Sequence, residues 1–331
     1  LSDDLDAGNP TRYCHLLDAF LGADRKDVLK PPMLDPQETA EEDRQLDELF
    51  MQSEFPPTAS QRLAIHKALH YPVSLIQGPP GTGKTETILR IAGMAVARGW
   101  KVAIVSSNEA AVKNIESKLS GTLSPLLDLP PDERSYYLEH DLTCTLATKI
   151  ACLGSKSRRA MATAPITNEN LAFDSKGCDH PFPDGATTSG WEPNKGFDEF
   201  TDEFPLITST IHSLKKCFYD GDEKKYDLVI MDEASQTNLF VGIVAMSCAK
   251  SMVIVGDEEQ LPPVVTEQSM ADFREYARHE DLFKGNDQSP YDMSRDDLSF
   301  LTACYQVFSD HNPELKTMLV DHFRCHPAII N

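Results

Sequence analysis

The chain has 331 residues, of which 40% are hydrophobic and 25% are charged, and its formal net charge at pH 7 is −21. This composition predicts a globular protein with a substantial core, in one large domain or two ordinary ones, and no apolar run approaches the roughly 18 residues of a membrane span. The negative charge argues against a protein that coats nucleic acid by bulk electrostatics, but it does not exclude a local basic groove, because salt screens distant charges.

The cysteines and the first residues indicate the compartment. The eight cysteines form no C-x-x-C pair, so the sequence predicts neither a zinc site nor a disulfide framework. The chain starts at Leu1 without a signal-peptide pattern, and we therefore expect an intracellular, cytoplasmic protein of which this chain is a fragment. Residues 1–54 carry acidic runs such as Glu41-Glu42-Asp43, and we expect them to form a separate acidic segment.

A predicted strand, a glycine-rich loop and a predicted helix follow each other near residue 80. Val73 to Gln77 is a short apolar run typical of a buried strand, and apolar residues recur with helical spacing after residue 85. In a loop of the form G-x-x-x-x-G-K-T, backbone N–H groups surround phosphate oxygens, the lysine reaches the β- and γ-phosphates, and the last hydroxyl binds Mg²⁺. The sequence therefore predicts a site for a nucleoside triphosphate with Mg²⁺. Its residues are Gly78, Pro79, Pro80, Gly81, Thr82, Gly83, Lys84 and Thr85.

Short apolar runs alternate with helical stretches through much of the remaining chain. Further strands are predicted at residues 101–106, 206–210, 227–231 and 251–255. These runs are apolar on both faces, as the strands of a parallel sheet between two helical layers must be. The predicted fold class is therefore α/β, a P-loop NTPase with a parallel sheet sandwiched between helices.

Two segments interrupt the alternation. Residues 121–204 form a long insertion between the second and third predicted strands. Its later half, from Thr167 to Phe204, is rich in Gly, Pro, Asn, Asp and Thr, and we expect that half to be poorly ordered. Residues 266–297 are acidic and polar, and an apolar helix is predicted after them, from Leu298 to Phe308.

Two polar segments at predicted strand ends supply candidate catalytic groups. The fourth predicted strand ends in Asp232 and Glu233. An acidic residue beside the phosphate loop can hold Mg²⁺ and a neighbouring carboxylate can activate water, so we assign Asp232 to the metal and Glu233 to the water. The fifth predicted strand leads into residues 256–263. Ligands of open α/β sheets sit outside such strand ends, so Gln260 in this turn is a candidate sensor of the γ-phosphate.

Four motifs in a fixed order make the chain similar to the superfamily 1B helicases. They are the phosphate loop, the segment Asp232-Glu233-Ala234-Ser235-Gln236, the turn Gly256-Asp257-x-x-Gln260-Leu261-Pro262-Pro263 and the segment Phe323-Arg324-Cys325-His326-Pro327. The resemblance covers residues 58–331 apart from the insertion, and it is closest to the group of the nonsense-mediated-decay RNA helicase and its bacterial relatives. It implies a RecA-like domain, ATP and Mg²⁺ as cofactors, and single-stranded nucleic acid, DNA or RNA, as a partner.

The resemblance implies roles for further residues. Arg324 matches the arginine that reaches the γ-phosphate from a second RecA-like domain of the same polypeptide. Residues 317–331 would then begin that second domain, and residues 55–316 would form the first. Four other residues match segments that contact the nucleic-acid backbone, although such short polar groups are equally suited to capping helices. They are Ser107, Asn108, Thr208 and Thr210.

Gln61 has two interpretations. The resemblance implies that it reads the adenine edge and so selects ATP. The pattern Thr58-x-x-Gln61 is also a helix capping box, in which the glutamine satisfies a backbone N–H group. Its fixed place before the phosphate loop favours the adenine role.

Together these features predict the ATP-binding and ATP-hydrolysing domain of a nucleic-acid helicase or translocase. The alternative is a nucleotide-dependent switch module that regulates a partner without helicase activity. Stimulation of ATP turnover by nucleic acid would distinguish the two, because a switch should show none.

Overall fold

The computed structural model describes residues 16–21, 26–29, 44, 56–123, 150–153, 161–162, 197–217, 225–264, 271 and 298–321. Most of the predicted acidic segment, most of the insertion and all of residues 322–331, including Arg324, lie outside these ranges. Among the helices within them, none combines the length and apolar character needed to cross a membrane.

One sheet of eight described strands organises the fold, in the order β4-β3-β5-β2-β6-β7-β1-β8. All neighbouring strands are parallel except β3 and β4, which are antiparallel. The strands are β1 (Val73–Gln77), β2 (Val102–Ser106), β3 (Ile150–Leu153), β4 (Met161–Ala162), β5 (Leu206–Thr210), β6 (Tyr226–Met231), β7 (Ala249–Gly256) and β8 (Lys316–Met318).

Both faces of the sheet are covered by helices. Successive strand residues alternate between two cores: Leu75 and Ile254 belong to one, whereas Ile76 and Val253 belong to the other. This alternation follows from the two-residue period of a strand. The helices are α1 (Leu16–Phe20), α2 (Lys26–Leu29), α3 (Ala59–His70), α4 (Lys84–Ala97), α5 (Glu109–Leu123), α6 (Phe197–Glu203), α7 (Leu239–Ser247) and α8 (Phe300–Cys304).

Local sequence signals explain where the helices next to the site begin and end. Thr58 caps α3 through a complete capping box with Gln61. Helix α4 starts after Gly83 and is followed by Gly99, and both glycines have positive φ. Helix α8 continues into a π-helical turn, Tyr305–Ser309, so the helix predicted from Leu298 to Phe308 is present with irregular hydrogen bonding.

The five predicted strands are all present and parallel, which confirms the α/β fold class. Two expectations need correction. The insertion contributes β3 and β4 to the sheet, and α6 lies in the half that was predicted to be poorly ordered, with Phe197 buried against Tyr226. The boundary predicted between residues 316 and 317 falls inside β8, which pairs with β1.

Candidate functional site

The site lies where three neighbouring strands end. In the sheet, β7 lies between β1 and β6, and all three are parallel. Their carboxyl ends therefore face the same edge of the sheet, where open α/β folds bind ligands. Strand β1 leads into the phosphate loop, β7 into the turn that carries Gln260, and β6 into Asp232 and Glu233.

The phosphate loop is curled by backbone conformations that favour glycine. Gly81 and Gly83 have φ values of 95° and 81°. The hydroxyl of Thr82 donates a hydrogen bond to the carbonyl oxygen of Pro79 at 2.8 Å, which closes the loop on itself. The Gly78 N–H donates to the Gly256 carbonyl oxygen at 3.1 Å, so the loop begins in direct contact with the end of β7.

A chain of polar contacts joins the three strand ends. The Lys84 ammonium donates to the Gly78 carbonyl oxygen at 2.8 Å. The amide of Gln260 lies between Lys84 and Glu233, and we assign its orientation from these charged neighbours: the oxygen then accepts from Lys84 Nζ at 3.3 Å, and the nitrogen donates to Glu233 Oε2 at 3.0 Å. Gln260 therefore contacts both the phosphate-binding lysine and the candidate catalytic carboxylate.

Glu233 has an unusual backbone. Its φ of 53° is the only positive value among non-glycine residues that the structure describes. Such left-handed geometry is uncommon for this residue type and occurs often at functional sites. It accompanies a hydrogen bond from the Glu233 N–H to Asp232 Oδ1 at 2.9 Å. Gln236 Nε2 donates to Glu233 Oε2 at 3.4 Å, so two amides contact that carboxylate oxygen.

Asp232 is almost completely buried. Burial, with a smaller contribution from the Glu233 carboxylate, raises the pKa of Asp232 to about 6. The hydrogen bond from Glu233 and the charges of Lys84 and Lys118 act in the opposite direction but do not cancel the effect. A buried carboxylate with incompletely compensated charge fits a divalent cation, because carboxylate oxygens are the ligands that Mg²⁺ prefers.

Gln61 satisfies the capping interpretation and also contacts the phosphate loop. Its side-chain oxygen accepts from the Thr58 N–H at 3.0 Å, and its nitrogen donates to the Thr82 carbonyl oxygen at 3.3 Å. The side chain is buried. Both ends of the amide are therefore engaged within the protein, and the adenine role stays a prediction.

The four residues predicted to contact nucleic acid have different surroundings. Asn108 is exposed, and its side chain accepts from the Ala110 N–H at 2.8 Å at the start of α5. Thr210 is half-buried at the end of β5. Ser107 accepts a hydrogen bond from the Thr237 hydroxyl at 3.2 Å. Thr208 is a correction: its side chain is buried and its hydroxyl donates to Glu116 at 3.0 Å, so it does not reach the surface.

Sequence patterns indicated no role for two residues that act on the acidic pair. Gln236 lies three residues after Glu233, and its place in the motif was the available signal for the contact described above. Lys118 lies on α5, far from Asp232 in sequence, and its charge lowers the Asp232 pKa only because the fold brings the two together. No local pattern connects them.

A family model described as an AAA domain matches residues 61–266. The chain is 28% identical over 264 residues to the DNA replication ATP-dependent helicase/nuclease dna2 of Schizosaccharomyces pombe, covering 80% of this chain and 14% of that protein. It is 25% identical over 238 residues to the DNA replication ATP-dependent helicase/nuclease JHS1 of Arabidopsis thaliana, covering 72% of this chain and 14% of that protein. The chain thus spans about a seventh of the length of these two curated relatives.

Among solved structures, the UvsW helicase from bacteriophage T4 matches with a TM-score of 0.38 and 11% identity, over 69% of this chain and 62% of that one. A likeness at this level supports no inference about the site. The family match and the curated relatives confirm the prediction of a superfamily 1B helicase RecA-like ATPase domain. They do not confirm the narrower grouping with the nonsense-mediated-decay RNA helicase.

Proposed function

We propose, since this chain belongs to the AAA domain family and is a RecA-like ATPase domain of the helicase type, that it drives movement along single-stranded nucleic acid. The observation that carries the proposal is the contact of Gln260 with both Lys84 and Glu233. A group that contacts the phosphate-binding lysine and the candidate water-activating carboxylate can respond to the presence of a γ-phosphate. A nucleotide-dependent motor needs such a response.

The residues at the three strand ends divide the chemistry of ATP hydrolysis. Lys84 and the backbone N–H groups of the phosphate loop would hold the phosphates, while Thr85 and Asp232 would hold Mg²⁺. Bound Mg²⁺ would neutralise developing charge on the phosphate oxygens. Glu233 would orient an attacking water and accept its proton, and the hydrogen bonds from Gln236 and Gln260 position its carboxylate for that task.

A second RecA-like domain of the same polypeptide would complete the site. In this proposal Arg324 acts from that domain on the γ-phosphate, where a guanidinium stabilises charge spread over the transferred phosphoryl group. Gln61 would contact the adenine. Its hydrogen bond to Thr82 uses one of the two amide hydrogens, and the second would remain for the base, so that one amide would contact both the base and the phosphate loop.

Nucleic acid would cross the carboxyl edge of β2 and β5. Ser107, Asn108 and Thr210 follow or end these two neighbouring strands, and Ser106 is in register with Thr210. Short polar side chains at such positions donate to backbone phosphates without reading bases. This mode of contact suits a motor that must move along any sequence, and it is compatible with DNA and with RNA.

ATP turnover tests the proposal in the polypeptide that joins this chain to a second RecA-like domain. It should be measured with no polymer, with single-stranded DNA and with single-stranded RNA. We expect at least one polymer to stimulate turnover, and Lys84→Ala to abolish it, because the phosphates lose their direct cation. Nucleotide binding without stimulation by either polymer would favour the switch module instead. Unchanged binding and turnover in Lys84→Ala would contradict the phosphate-loop assignment.

A further inference from the structure

Lys316, the first residue of β8, lies between a carboxylate and an aromatic ring. Its ammonium is 3.0 Å from Glu258 Oε2 and 3.9 Å from the centroid of the Tyr305 ring. A cation over a ring face and beside a carboxylate is held by both the quadrupole of the ring and the opposite charge. Tyr305 is buried, and this burial, together with the nearby Glu258 charge, raises the pKa of its phenol, so the ring stays neutral.

Glu258 belongs to the turn that carries the candidate γ-phosphate sensor. It lies between Gly256, the last residue of β7, and Gln260. The turn has its own hydrogen bond, from the Gln260 N–H to the Asp257 carbonyl oxygen at 3.2 Å. The contact between Lys316 and Glu258 therefore fixes this turn to a different strand, β8.

Residues 316–321 are in turn attached to the nucleotide-binding elements. The Leu319 N–H donates to the Gln77 carbonyl oxygen at 2.8 Å, immediately before the phosphate loop. The Lys67 ammonium donates to the Lys316 carbonyl oxygen at 3.2 Å, and the Ser60 hydroxyl donates to Asp321 Oδ2 at 3.2 Å. Lys316 thus projects from a backbone that is held from both β1 and α3.

We propose that Lys316 is a positioning residue for the ATP reaction: by pairing with Glu258 from its place over the Tyr305 ring, it sets the turn at which Gln260 reaches Lys84 and Glu233. This inference rests on the proposed function, because it concerns the discrimination of ATP from ADP by Gln260. Without the Lys316 side chain, the turn loses the ion pair between Glu258 and β8, and Gln260 samples positions that do not contact a γ-phosphate.

The chain offers a matched control lysine at the amino end of β7. Lys250, at the start of β7, is also 3.0 Å from a carboxylate, that of Asp227, and its side chain is 30% exposed, against 27% for Lys316. Replacing either lysine by methionine removes a half-exposed ion pair with a carboxylate. Only Lys316 is connected to the Gln260 turn, so only its replacement should change nucleotide discrimination.

The experiment compares the dissociation constants of Mg·ADP and Mg·AMP-PNP, a non-hydrolysable ATP analogue. We expect Lys316→Met to reduce the preference for AMP-PNP over ADP by about fivefold, the scale of one half-exposed ion pair with a cation–π contact. Lys316→Arg keeps a cation that can contact both partners and should retain most of the preference. Lys250→Met should leave it unchanged. In a Gln260→Ala background, Lys316→Met should have no further effect, because it acts through Gln260.

Hydrogen exchange gives a second test of the link between the bound nucleotide and Lys316. AMP-PNP should slow exchange of the backbone amides of residues 316–321 more than ADP does, and Lys316→Met should remove that difference. The inference is overturned if Lys316→Met keeps the same preference for AMP-PNP over ADP as Lys250→Met. It is also overturned if Lys316→Met reduces that preference as much in the Gln260→Ala background as in the wild type. If the wild-type chain binds neither nucleotide, the proposed function itself fails and this inference fails with it.

Discussion

At the scale of single residues, the site depends on one strained backbone. The left-handed conformation of Glu233 costs ~1 kcal/mol relative to an ordinary backbone, since its Cβ crowds the following carbonyl oxygen. The same conformation accompanies the hydrogen bond from its N–H to Asp232 and the contacts of its carboxylate with Gln236 and Gln260. The fold thus maintains a local strain where two carboxylates must be held in different roles.

Glu233→Gln should separate binding from hydrolysis. The amide retains an oxygen that can accept from Gln236, and Asp232 remains available for Mg²⁺, so the affinity for Mg·AMP-PNP should change little. Turnover should fall by about 10²-fold or more, because the water loses its base. Measurement of turnover in the two-domain polypeptide checks this. The exposed carboxylate of Glu259, on the neighbouring turn, supplies the control variant Glu259→Gln, which should keep turnover; wild-type rates in Glu233→Gln would assign the base to another residue.

Asp232→Asn should stabilise the nucleotide-free protein above pH 6. Because the pKa of Asp232 is raised to about 6 in the folded protein, from 3.8, the folded state favours the protonated form. The stability from this group is present at low pH and is lost as pH rises through about 6. Between pH 5 and pH 8 the free energy of unfolding of the wild type should therefore fall by about 1 kcal/mol relative to that of the Asn variant.

Urea unfolding of both proteins at several pH values tests this expectation. Other ionisable groups titrate in both proteins, so the difference between the two stability curves isolates Asp232. A difference that does not change between pH 5 and pH 8 would contradict the raised pKa. The variant should also lose Mg²⁺-dependent nucleotide binding, and that loss would show that the residue is retained for function at a cost in stability.

At the scale of elements, helices α7 and α8, which follow the acidic pair in the chain, pack so closely that Gly242 leaves no room for a side chain. A Cβ atom on Gly242 of α7 would lie 2.2 Å from ring atoms of Phe300 in α8. Helix α8 also supplies Leu301, which lies against Gly256 at the end of β7. The contact between α7 and α8 therefore supports the strand end that begins the Gln260 turn.

Gly242→Ala should destabilise the fold by about 1–3 kcal/mol, the usual cost of overpacking a core. In an open helix interior the same change would stabilise the protein by up to about 1 kcal/mol, so the sign of the change in stability shows whether Gly242 is closely packed. Denaturant unfolding of Gly242→Ala, of Phe300→Leu and of the double variant measures the coupling. The double variant should be more stable than the sum of the single effects predicts, and simple additivity would contradict the close approach.

At the scale of the whole molecule, the proposed function takes nucleotide binding from this domain and part of catalysis from a second RecA-like domain. The phosphate loop, Gln260 and the acidic pair come from neighbouring strands of one sheet, so they are assembled when this sheet folds. Charge stabilisation from the opposite side of the γ-phosphate is assigned by the resemblance to Arg324, outside the described residues. A group that is not preorganised loses most of its catalytic advantage.

We therefore expect residues 1–331 alone to bind Mg·ATP and to hydrolyse it slowly, with little stimulation by single-stranded nucleic acid. The adverse net charge of −21 also weakens polymer binding. Titration calorimetry and steady-state turnover, for this chain and for the two-domain polypeptide, make the comparison. Equal turnover in the two would show that the chain is a self-contained ATPase and that the two-domain mechanism is wrong.

The sequence by itself determined the features that depend on neighbouring residues. The phosphate loop and the five central strands were predicted, and the capping box of α3 was one of the two interpretations of Gln61, because glycine conformations, strand periodicity and capping are local effects. The pairing of Asp232 with Glu233 at a strand end was also predicted from the chain alone. The family resemblance supplied the prediction of a helicase-type RecA-like domain, and the family match with the curated relatives confirmed it.

Only the tertiary structure decided which of these local features meet. It placed β3, β4 and β8 in the sheet, buried Thr208 against Glu116, and brought Lys316 to Glu258. Except for the pairing of β4 with β3, each of these contacts joins residues far apart in the chain, where no periodic pattern links the partners. Their pairing depends on strand order and on the packing of helices over both faces of the sheet, which are properties of the folded chain as a whole.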